Sequence, residues 1–211
     1  MSRERRDRSP ARPAGPSTPG DRRYGPAVGE PPLLLDPRRG GSLVGLVGAV
    51  VFISAYSPAL GAVAATTAWA AGLAGVAVTL FAHYVRPVGL GPLPRPRPLA
   101  LVTYVGCVVG ELALIAVGSR ALATAGRDDL RPALIAAAVG LHFLPFAWAF
   151  GERMFLRLGG AVAVLGGAGM LAGALGVPRA ADAAAVVAGL TMVAIIARYA
   201  QGAQPGRRRR R

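Results

Sequence analysis

The sequence predicts an all-α polytopic membrane protein, a bundle of about six transmembrane helices behind a disordered N-terminal tail. Three observations carry the prediction. The chain of 211 residues is 53% hydrophobic but only 16% charged, whereas a soluble domain averages about 25% charged. Its formal charge is nonetheless +14, and all 24 basic residues are Arg. The two properties also occupy different stretches: residues 41–84 hold no Asp, Glu, Arg or Lys at all, while the termini are dense in Arg. A soluble core does not combine a strong net charge with such long uncharged runs. Composition also argues against a cytosolic enzyme, and the lone Cys107 against a disulfide-stapled secreted domain. Absence of Lys beside abundant Ala, Gly, Pro and Arg points to a GC-rich bacterial coding sequence.

Residues 1–40 contain nine Arg, five acidic residues and eight Pro. A segment so poor in large apolar side chains cannot offset the entropy of ordering it, so the expectation is a disordered tail. An n-region of that length, with further apolar segments downstream, argues for an uncleaved first helix rather than a signal peptide. The Arg38-Arg39 pair lacks the rest of a twin-arginine motif.

A span of the hydrocarbon core takes about 20 apolar residues, so the uncharged run 41–84 makes two helices, about 42–58 and about 62–84. Ser57-Pro58 and Gly61 mark the turn between them. Five prolines and three arginines in residues 86–98 form a stiff linker. Helix three is expected at about 99–118, interrupted only by Glu111. A polar loop leads to helix four, about 132–150, with Pro132 suited to a first turn. Helix five follows at about 158–176, and helix six at about 182–199 with Asp182 as its cap. Residues 201–211 form a basic C-terminal tail. These segments show no polar face for water, which argues against amphipathic helices of a soluble core.

Six spans put both termini on one side. With the termini inside, twenty arginines lie on inner segments and four on outer ones, so the positive-inside rule makes both termini cytoplasmic, in a bacterial plasma membrane. The tail Arg207, Arg208, Arg209, Arg210 and Arg211 is expected to lie against anionic lipid headgroups. It lacks the interleaved aromatics of a nucleic-acid binder, so no nucleic-acid partner is expected.

Ionisable residues at membrane depth are costly and point to function. Three qualify: His83, Glu111 and His142. His83, in Ala82-His83-Tyr84-Val85-Arg86-Pro87, sits at the inner end of helix two, where it can reach headgroups with Tyr84 and Arg86. Glu111 lies about 18 Å from the inner end of helix three, and His142 about 15 Å from the outer end of helix four. In a hydrocarbon core about 30 Å thick both fall in the central third. They form a candidate polar pair, either proton-linked as in transporters or a structural bond fixing the helix register. Pro145 frees a carbonyl near His142, and Tyr104, Thr66, Thr67 and Thr191 can add hydroxyls.

The motifs Gly106-x-x-x-Gly110 and Gly169-x-x-x-Gly173 allow close helix approach, within the chain or in a dimer. No hydrolase elbow, zinc-protease motif or phosphate loop occurs, so neither a catalytic residue nor a cofactor is expected. Two histidines and one glutamate make a poor metal set, and no metal site is expected. The stretch Gly140-Leu141-His142-Phe143-Leu144-Pro145-Phe146-Ala147, with the glycine-rich helix after it, resembles segments of small multi-pass membrane proteins of high-GC bacteria. The resemblance spans residues 130–176 and implies no activity. Two functions follow: a non-enzymatic packing or scaffold protein that pairs with itself or another membrane protein, or a small permease or proton-linked carrier using Glu111 and His142.

Overall fold

The computed structural model describes residues 36–87 and 99–202. Among these the chain is helical throughout, with no strand, in the order α1 (Pro37–Tyr56), α2 (Ala62–Leu80), α3 (Ala100–Thr124), α4 (Arg131–Phe150), α5 (Arg153–Ala174) and α6 (Ala180–Ala200). With their short 3₁₀ and π extensions, these make six helices long and apolar enough to cross a membrane. The expected tail up to residue 35, the linker 88–98 and the arginines 207–211 lie outside the described residues.

Helix ends follow local chemistry, and several differ from expectation. Residues 36–40 were expected in the tail, but α1 begins at Pro37 because Asp36 caps it: its carboxylate accepts from the Arg38 amide at 2.9 Å, and Pro37 needs no partner for an N–H. Between α1 and α2 the 3₁₀ turn Ser57–Leu60 ends at Gly61, whose φ of 93° is open to glycine at little cost. The last turn of the second span, Phe81–Val85, is π-helical, with the Arg86 amide donating to the Phe81 carbonyl.

Helix α3 continues past the expected residue 118 to Thr124, because Ala121–Thr124 holds no breaker. Helix α5 starts at Arg153 rather than near 158; Gly151, at φ 67°, ends α4 so abruptly that only Gly151 and Glu152 separate the two helices. The cap of α6 is Arg179 rather than Asp182, which instead lies within the first turn, where its charge favours the positive end of the helix dipole.

Helix α6 is the hub and packs on α1, α2, α4 and α5, while α4 and α5 form the tightest pair. The core gathers Leu46, Ala49 and Phe52 of α1, Leu158 and Val162 of α5, and Ala185, Met192, Val193 and Ile196 of α6. Small residues set the approach, as they do where apolar surroundings give helices no hydrophobic drive to associate. A Cβ on Gly140 would fall 2.8 Å from the Gly159 carbonyl oxygen and closer still to the Ala163 backbone. One on Gly166 would fall 2.8 Å from the Ala133 carbonyl oxygen, and one on Gly189 the same distance from that of Ala49. Gly169 and Gly173 face Ala184 and Leu130, so this motif is spent inside the chain. Gly106 and Gly110 face nothing within 4 Å.

Helix α3 stands apart. It packs on α4 and on the turn before it, and the rest of its surface, including Leu101, Val105, Val109, Leu112 and Val117, is exposed.

Replacing Gly140 or Gly166 by Ala is expected to cost about 1–3 kcal/mol by overpacking against rigid backbone. Gly160→Ala, with open space around it, is expected to be neutral or slightly stabilising. Unfolding of purified variants in detergent checks the contrast, and equal midpoints would refute the packing.

Candidate functional site

The seam between α3 and α4 holds the sequence-predicted pair. Glu111 enters from the one side of α3 that has a neighbour, and His142 from the facing side of α4. Glu111 Oε2 lies 3.1 Å from His142 Nδ1, with the side chains 16% and 12% exposed. The separation is that of an ion pair, but the ring nitrogen makes no hydrogen bond to the carboxylate.

An aromatic wall adjoins the pair. The Tyr104 ring stacks on Phe146 at 5.5 Å, and Phe146 meets His142 edge-on at 5.3 Å. Phe143 lies 4.0 Å from the imidazole and stacks on Phe155 of α5 at 6.1 Å. Tyr104 therefore touches the site through Phe146. The rings narrow the access of water from that side, and a Glu–His contact in such surroundings is stronger than in water. The phenylalanines escaped the sequence reading, although 143, 146 and 150 recur at helical spacing on α4. Thr67 turns its hydroxyl to its own helix, donating to the Val63 carbonyl at 2.8 Å.

His83 belongs to a different cluster. The expectation of a side chain reaching for headgroups is overturned: His83 is fully buried, and it meets Arg39, not a lipid surface. Arg39 Nη1 lies 3.2 Å from His83 Nδ1 and also donates to the His83 carbonyl oxygen. A guanidinium has donors only, so Nδ1 must accept, and the ring proton sits on Nε2. That Nε2 is buried with no hydrogen-bond partner among the described residues.

Asp36 completes the cluster. Its carboxylate takes the Arg38 side chain at 3.0 Å and lies 3.9 Å from Arg39 Nε. Burial of Asp36, Arg39 and His83 together follows from this pairing, since none is tolerated alone in an apolar interior. The cluster ties the start of α1 to the end of α2 and supplies positive charge where the α2 carbonyls are left open. Sequence reasoning placed Arg39 in a tail; the Asp36-Pro37 cap signal was the clue that the helix starts earlier.

No group of three or more His, Cys, Asp or Glu gathers among the described residues. No protein family, curated protein or solved structure matches the chain.

A double-mutant cycle on Glu111→Ala and His142→Ala, read by unfolding in detergent or lipid, is expected to give a coupling of about 0.6–2 kcal/mol. Additive effects would show that the two side chains do not act on each other.

Proposed function

We propose that the chain is a non-enzymatic membrane protein of the bacterial plasma membrane, with both termini cytoplasmic, in which α3 is the helix offered to a membrane partner. The observation that carries the reading is the isolation of α3. It docks on α4, leaves its other faces exposed, and presents Gly106 and Gly110 with open space in front of them. Lipid chains gain little from a backbone laid bare by glycine, whereas a second helix gains close packing. The Glu111–His142 contact then acts as the clasp that holds α3 to the bundle. Arg207–Arg211 anchor the C-terminus to anionic headgroups.

A second reading, a proton-linked carrier, is favoured by the same contact. An ionisable pair at mid-depth, 3.1 Å apart and not locked into a hydrogen bond, is suited to passing a proton.

Labelling of single cysteines with a water-soluble maleimide separates the two. In a Cys107→Ser background, cysteines at 108, 111 and 115 on α3 and at 138 and 142 on α4 are expected to stay unlabelled in membranes. A labelled stripe along the seam would reject the partner reading in favour of the carrier. Gly106→Ile with Gly110→Ile is expected to abolish cross-linked complexes while leaving the unfolding midpoint unchanged or slightly raised, since a Cβ at either position meets nothing within 4 Å. Complexes that survive the substitution would also reject the partner reading.

A further inference from the structure

Three of the four arginines assigned to the outer side, Arg120, Arg127 and Arg131, lie in or beside the connection between α3 and α4. Basic residues there oppose the bias that orients the chain, so their contacts call for a reason. Arg127 has one inside the fold: its Nη2 donates to the Gly173 carbonyl oxygen at 2.8 Å, and its Nε lies 3.1 Å from Asp129 Oδ1. Arg120 and Arg131 form no ion pair among the described residues.

Both line a cleft of about 280 Å³ together with Asp128 and Ser119, and Ile115, Ala116 and Ala123 form its apolar wall. The Ser119 hydroxyl is buried there without a hydrogen-bond partner among the described residues. Helix α4 begins at Arg131 with no side chain capping it, which leaves the positive end of its dipole beside the cleft.

We propose that this cleft binds the phosphodiester headgroup of an outer-leaflet phospholipid, and that it prefers an ethanolamine headgroup. The inference rests on the membrane orientation proposed above but not on the role given to α3. Charge selects the ligand. Two guanidiniums beside one carboxylate line the cleft, so it offers cationic partners to a phosphodiester and an anionic one to an ammonium, as a zwitterionic headgroup requires. Inorganic phosphate, a mixture of monoanion and dianion at neutral pH, brings no cation to Asp128. Asp128 gives the ethanolamine ammonium a partner, and Ser119 can donate to a phosphate oxygen. Depth agrees with this. The lining passes from charged residues at the helix ends to Ile115, about 6 Å further along α3 from Ser119, as a headgroup passes into its acyl chains.

The test is native mass spectrometry of the full chain in detergent, after incubation with phosphatidylethanolamine, phosphatidylcholine or inorganic phosphate. The wild-type chain is expected to retain phosphatidylethanolamine, and Arg120→Gln with Arg131→Gln to lower retention about tenfold. Ser119→Val is expected to weaken it without a change in charge, and Asp128→Asn to remove the preference over phosphatidylcholine. Arg153→Gln with Arg157→Gln, at the opposite end of the bundle, is expected to have no effect. Retention unchanged in both the arginine pair and the Ser119 variant overturns the proposal. So does an equal loss in the Arg153 and Arg157 control, which would mean bulk charge, or displacement of the lipid by inorganic phosphate, which would make free phosphate the ligand. A failure of the labelling experiment on the seam leaves these outcomes unaffected, so the two ideas fail separately.

Discussion

An apolar surrounding gives polar groups no water to bond, and the rest of this structure follows from how each is satisfied. Backbone groups close within six long helices. Ionisable side chains held inside are paired, Arg39 with His83 and Asp36 and Glu111 with His142, while the more exposed Arg127 donates to the Gly173 carbonyl near the end of α5. Each pairing joins two elements that the chain alone does not hold together. Asp36, Arg39 and His83 link the start of α1 to the end of the second span, and Arg127 fastens the α3–α4 connection to α5. The Glu111–His142 contact spans the seam on which α3 depends.

Helix packing divides the molecule into two regimes. Between α4 and α5, and between α1 and α6, glycine and alanine bring backbones so close that a methyl group is excluded at several positions. Interfaces of this kind are rigid because no flexible side chain lies between the backbones. Helix α3 is fastened differently, by Gly118 over Leu134, the Glu111–His142 contact and the Tyr104–Phe146 stack. A helix held by a few side-chain contacts is the one that a partner, a proton or a lipid can influence, and the proposals for function all fall on α3, on its open face or on its seam with α4.

The helical plan was legible in the sequence because it depends on length and hydropathy, which accumulate over twenty residues and tolerate local error. That Glu111 and His142 stand level on adjacent helices was legible for a similar reason: a constant rise per residue turns position into height. Rotation was not legible. Each residue turns a helix by a large angle, so whether Glu111 and His142 faced each other or faced lipid was undetermined until the neighbours of α3 were known. The two Gly-x-x-x-Gly motifs make the point, since identical spacing leads to a buried contact at Gly169 and an open face at Gly106. The partnership of Arg39 with His83 was hidden by 44 residues of separation and by a composition that merges the first turn of α1 with the tail. Boundaries at α3 and α5 shifted because arginines near helix ends are good helix formers, whereas they read as loop when charge alone is followed.

The central claim is that six apolar helices cross a bilayer, with most arginines left on the cytoplasmic side. It is tested most directly by paired reporters fused after Arg211. A reporter active only in the cytoplasm is expected to be active, and one that requires export is expected to be silent. The reverse result would place the C-terminus outside, as an odd number of spans would, and contradict the account.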